Sequence, residues 1–142
     1  MFLTLISVRG QSNICRREHN KRIFIHINQN LLDMIIDFSK IEKSCLEGFK
    51  GGKGELLMRS YADSNCKIMH HTLKAGASIG MHCHDDSCEI IFMIKGSAKA
   101  TYDGNTEIVG EGQIHYCPKG HTHCLENTND FDIEYLAIVP QF

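Results

Sequence analysis

Between Gly76 and Gly96 the chain reads GASIGMHCHDDSCEIIFMIKG, with His82 and His84 two residues apart and Glu89 five residues later. Side chains at i and i+2 of a β-strand point to one face, so His82 and His84 can reach a single point in space. As neutral imidazoles they suit a divalent transition metal. Glu89 has the opposite parity and would face away on an unbroken strand. The intervening Asp85-Asp86-Ser87 is turn-type sequence, and a turn there resets the parity so that the carboxylate swings back. The segment is therefore read as strand, turn, strand, with three donors converging.

A second segment, Gly112 to Asn127, reads GQIHYCPKGHTHCLEN. Pro118-Lys119-Gly120 makes a tight turn, and His123, at the start of the strand that follows, is the natural fourth donor. Short runs separated by turn residues fill the surroundings: Glu55 to Tyr61, Cys66 to Leu73, Cys88 to Lys95, Ser97 to Tyr102, Thr106 to Val109, Gln113 to Cys117 and Phe131 to Val139. That rhythm predicts an all-β sandwich or barrel with little helix. Asp103-Gly104-Asn105 is a hairpin signal, because Asp-Gly supplies the positive φ values of a tight turn. Phe49 to Gly54 lacks the GxxxxGK[ST] spacing of a phosphate loop and is read as a flexible turn.

The spacing Gly76, five residues, His82, one, His84, four, Glu89, six, Gly96, then Gly112, five, Pro118, one, Gly120, two, His123, three, Asn127 resembles, position for position, the two motifs of the cupin superfamily. Glycine and proline average about 7% and 5% of residues, so ten specified positions do not coincide by chance. Fifteen residues separate the two blocks, as in compact, mostly microbial single-domain cupins. The resemblance implies a jelly-roll β-barrel over roughly residues 55–140, with one divalent ion (iron, manganese, nickel, zinc or copper) held by His82, His84, Glu89 and His123. Three nitrogens and one oxygen would leave coordination positions open for a ligand. The resemblance further implies a homodimer and a small-molecule partner. The function expected is that of a metal-dependent enzyme, of dioxygenase or of isomerase or lyase type, acting on a small polar metabolite that chelates through oxygen. The alternative is a non-catalytic metabolite-binding or sensor protein.

Catalytic groups are not named by the motifs. Glu89, His121 and His115 are the candidates: Glu89 as a ligand with proton-transfer capacity, His121 because an extended chain would turn it inward with His123, and His115 because it shares strand parity with Cys117, Tyr116 taking the other face. Packing or surface positions are the competing reading for both histidines. His70 and His71 cannot both face inward on a regular strand, and Ile91 and Met93 should line the interior.

Residues 1–33 carry Arg9, Arg16, Arg17, Lys21 and Arg22 against Glu18 and Asp33, and show no sustained periodicity. They are read as an N-terminal extension or arm, with Met34 as a candidate start and a cupin domain over 34–142. From Met34 to its end near Gly48 this segment reads as a strand followed by a short helix or turn. Met1 to Ser7 lacks the flanks of a secretory signal. The seven cysteines form no CxxC pair, so free thiols in a reducing cytoplasm are expected, with Cys83, Cys88, Cys117 and Cys124 as minor candidates for a thiolate ligand. A net charge of -2 gives no reason to expect nucleic acid, and no apolar run is long enough to predict a membrane helix.

Overall fold

In the computed structural model residues 35–141 are described; the expectations for residues 1–33 and for a start at Met34 lie outside them. Period-two alternation is clearest in the last strand, where Ile133, Tyr135, Ala137 and Val139 are buried and the residues between them are half-buried. The strands are β1 (Ser44–Glu47), β2 (Glu55–Ala62), β3 (Cys66–Leu73), β4 (Ser78–Cys83), β5 (Glu89–Lys95), β6 (Ala98–Tyr102), β7 (Asn105–Val109), β8 (Ile114–Cys117), β9 (Thr122–Glu126) and β10 (Ile133–Pro140). They form a six-stranded sheet in the order β1-β2-β3-β10-β5-β8 and a four-stranded sheet in the order β4-β9-β6-β7. Every pairing is antiparallel. This is the all-β architecture expected from the run spacing, in the jelly-roll form the family resemblance implied.

The two sheets enclose one core, built from Leu56, Leu73, Met93, Ile133 and Tyr135 on the larger sheet and Ala100 and Leu125 on the smaller. Asp103-Gly104 closes the β6–β7 hairpin as a two-residue loop, with Tyr102 paired to Asn105 and both loop residues at positive φ. That conformation matches the right-handed twist of the strands it joins. Asp103 also ties the hairpin to β9, accepting from the Thr122 backbone N–H at 3.1 Å.

Two expectations need correction. The segment after Met34 begins with a short 3-10 turn (Phe38–Lys40) and only then forms β1, the reverse of the predicted order. Asp37 is the cause, since its carboxylate accepts from the Ser39 N–H at 3.0 Å and caps the turn. The glycine-lysine cluster is a turn, as read, but a pinned one. Its Phe49–Gly51 segment lies against β4, and the Lys53 carbonyl accepts from the Ser78 N–H at 2.8 Å. Gly52 and Gly80 meet backbone to backbone there: a Cβ on Gly80 would stand 2.1 Å from the Lys50 carbonyl oxygen. No helix among the described residues is long and apolar enough to cross a membrane.

Candidate metal centre

His82 belongs to β4, His84 follows its last residue, Glu89 opens β5 and His123 lies in β9. Strand β4 is in the smaller sheet and β5 in the larger, so the Asp85-Asp86-Ser87 bend carries the chain from one sheet to the other. That crossing turns the Glu89 carboxylate back toward the histidines, as the parity argument required. A second device was not foreseen. The register of β4 on β9 runs Ile79 to Leu125 and then His82 to His123, three residues against two. This β-bulge at Gly80-Met81 lets Ile79 fill the core while His82, of opposite parity, still faces inward. Met81 and Cys83 take the exposed side.

One donor atom from each of His82, His84, Glu89 and His123 lies within 4.8 Å of all the others. The Glu89 carboxylate oxygen is 2.8 Å from His123 Nε2, 3.1 Å from His84 Nε2 and 3.7 Å from His82 Nε2. His123 Nε2 is 3.0 Å from His84 Nε2 and 3.2 Å from His82 Nε2. The opposite ring nitrogens have other partners. His82 Nδ1 donates to the Gly80 carbonyl at 2.8 Å, which also ties the ligand to the bulge. His84 Nδ1 is 3.3 Å from the Ser87 hydroxyl. His123 Nδ1 is 3.0 Å from His115 Nε2, and His115 Nδ1 donates to the Glu107 carboxylate at 2.7 Å.

These bonds assign protons. Glu107 accepts the His115 Nδ1–H, so His115 Nε2 presents a lone pair, which accepts from His123 Nδ1–H. With His82 and His123 protonated on Nδ1, their Nε2 lone pairs face each other and an ionised carboxylate across about one ion's diameter. Burial alone would push the Glu89 carboxyl up, but the His123, His82 and His84 imidazoles around it outweigh burial and hold the group well below the usual carboxylate range. Burial also pushes the His123 imidazole down, opposed by Glu89. The donor set thus calls for a positive charge at its centre, and a divalent cation fits it: three neutral imidazoles and one carboxylate. Among the described residues this group contains no thiolate. Cys117, paired with Glu89 across β5 and β8, has its thiol pushed up to about 11 by burial and by the Glu89 charge.

The remaining candidates fall in different places. His115 is buried beside His123, inward with Cys117, and Tyr116 is exposed, as parity predicted. His121 does not turn inward with His123. It precedes β9, its ring stacks on Tyr102 with centroids 5.4 Å apart, and Asp103 accepts from its Nδ1. Its carbonyl touches the site, accepting from the His84 N–H at 3.1 Å. His71 is buried while His70 sits against Glu134 at 3.4 Å. Ile91 and Met93 line the interior as expected. Glu107 escaped the sequence reading, because nothing distinguishes one exposed strand glutamate among seventeen acidic residues.

A β-jelly roll with three histidines and a glutamate gathered at its interior defines a β-barrel protein with a candidate metal site. The chain belongs to the cupin family: the cupin domain profile matches residues 69–139. Among curated proteins it is similar to an oxalate-binding protein of Thermotoga maritima, 27% identical over 75% of this chain and 93% of that one. It also resembles a mannose-1-phosphate guanylyltransferase of Escherichia coli, 30% identical over 54% of this chain but only 16% of that longer protein. Among solved structures, a predicted oxalate decarboxylase from Thermotoga maritima superposes with a TM-score of 0.72 at 25% identity, covering 77% of this chain and all of that one.

Proposed function

We propose that this cupin is a metal-dependent enzyme acting on a small carboxylate that chelates the ion through oxygen, with oxalate as the first compound to test. The observation that carries the reading is the charge balance of the centre: an ionised Glu89 and His Nε2 atoms as close as 3.0 Å, their other nitrogens already engaged. His82, His84, Glu89 and His123 would hold the ion. A divalent ion there supplies Lewis-acid polarisation of a ligand oxygen. The protein's share is placement. Gly80 orients the His82 ring, His115 and Glu107 orient His123, and His123 sits deepest, with side-chain exposure of 1% against 15% for His82. The ligand therefore approaches from the His82 and His84 side. The oxalate class is supported by the relative matched over 93% of its length, described as oxalate-binding, and by the solved structure described as a predicted oxalate decarboxylase.

A second reading, a binding protein that holds the metabolite without turnover, is favoured by the description of that same relative. Elemental analysis of protein purified without chelator or affinity tag comes first, with a His82→Ala, His84→Ala double variant as control. About one equivalent of transition metal, lost in the variant, is expected. Metal-supplemented protein that stays empty overturns the metal reading. Loaded protein is then incubated with oxalate, with and without dioxygen: product over many turnovers identifies an enzyme, and oxalate bound but recovered unchanged identifies a binding protein.

A further inference from the structure

Away from the four donors, the interior of the larger sheet holds three buried polar side-chain atoms with no hydrogen-bond partner among the described residues: Nδ1 and Nε2 of His71 and the hydroxyl of Tyr135. His71 is 2% exposed and Tyr135 is wholly buried. They face each other as register partners on β3 and β10, and their rings meet edge to face with centroids 5.0 Å apart. Leucine and phenylalanine would fill the same space without polar atoms to leave unbonded, so packing accounts for the volumes but not for the chemistry.

Their place in the sheet relates them to the metal centre. Tyr135 pairs on its other side with Met93 of β5, and the same inward face of β5 continues through Ile91 to Glu89. The matching inward position on β10, opposite Ile91, is Ala137, whose methyl is the smallest side chain in that row. Burial pushes the Tyr135 hydroxyl well up and the His71 imidazole down to about 4, and the Glu89 charge reaches both groups. At neutral pH the pair therefore offers an O–H and an imidazole N–H, both uncommitted, to the interior that holds the four donors.

We propose that His71 and Tyr135 form the far half of the ligand site, where they hydrogen-bond the second carboxylate of a small dicarboxylate whose first end meets the four-donor centre. The assignment rests on the oxygen-chelating reading above and names what selects the ligand. An ionised carboxylate is purely an acceptor and takes both donors at once. A ligand lacking that group leaves both unsatisfied, the arrangement by which a buried polar site rejects an analogue most strongly. The partners are neutral donors, so the selection is for acceptor geometry at that end.

The test uses the full chain loaded with manganese(II) and titrated calorimetrically with oxalate, malonate and glycolate, the last chelating without a second carboxylate. Tyr135→Phe, which removes only the hydroxyl, is compared with His71→Leu and the parent protein. Each variant is expected to lose about tenfold in affinity for the preferred dicarboxylate. Glycolate and manganese affinities should stay within about twofold. Ligand-free Tyr135→Phe should melt no lower than the parent, since the lost hydroxyl had no partner. Unchanged dicarboxylate affinity in metal-loaded Tyr135→Phe overturns the assignment, as does a lower melting temperature without ligand. Parent protein that binds metal but none of the acids overturns the oxygen-chelating reading itself, a result distinct from variants that bind as well as the parent. If His71→Leu fails to fold, Tyr135→Phe decides alone.

Discussion

His115 shows how a single side chain acts on the centre without joining it. Its Nδ1–H is taken by Glu107 and its Nε2 accepts from His123, so the deepest ring is fixed in both orientation and tautomer. Removing such a partner commonly costs 10–100-fold in metal affinity. His115→Leu is accordingly expected to weaken metal binding within that range in a competition titration against a chromophoric chelator. His115→Gln, which keeps an acceptor for His123, should recover part of the loss, and equal affinity in the leucine variant would show the relay to be idle. His71 carries a different signature. Its folded pKa is depressed by burial from 6.5 to about 4, so between those values the unfolded chain binds more protons and stability falls on acidification. The loss, on the order of 3 kcal/mol across that window, is complete only below about pH 4. Urea titrations at stepped pH should show a shallower decline for His71→Leu than for the parent chain.

Among the elements, β4 depends most on what lies beside it. The bulge at Gly80-Met81 changes the parity between Ile79 and His82, and the Gly80 carbonyl then holds His82 Nδ1. The Phe49–Gly51 turn presses on the same point, where any side chain on residue 80 meets backbone. Gly80→Ala is expected to cost about 3 kcal/mol in urea unfolding and to lower metal affinity together with stability. A substitution at exposed Met81 should do neither. Strand positions were legible in the sequence wherever apolar alternation was uninterrupted: β3 was bounded correctly at Cys66 and Leu73, and β2 and β5 to within a residue. The segment ahead of β1 was misordered because local capping by Asp37 outweighed the apolar pattern of its neighbours. Register, and with it the bulge, is a property of two strands and leaves no mark in either one alone.

On the scale of the whole molecule, the larger sheet ends at β8 with an apolar outer face. Phe92 and Ile94 of β5 and Ile114 and Tyr116 of β8 are 37%, 38%, 60% and 54% exposed. Contiguous apolar side chains on a sheet face are where a subunit contact forms, and a second copy of the chain supplies a self-complementary patch. The homodimer expected from the family resemblance is proposed to use this face. Light scattering should return twice the chain mass, and an Ile114→Lys, Tyr116→Lys variant should return the chain mass with its metal content intact. A parent protein at the chain mass at tens of micromolar rules the dimer out.

The ten motif positions by themselves determined the cupin fold and brought His82, His84, Glu89 and His123 forward as a set, because strand parity and turn chemistry are local and can be read along one chain. Tertiary structure decided the rest. His121 faces Asp103 and Tyr102 because the hairpin tip is tied to β9. Glu107 matters because β7 and β8, in different sheets, bring it to His115. His71 and Tyr135 are left without partners because two strands sixty-four positions apart in the chain meet at that register. Each of these depends on which groups of distant segments share an interior, and only the closed pair of sheets sets that.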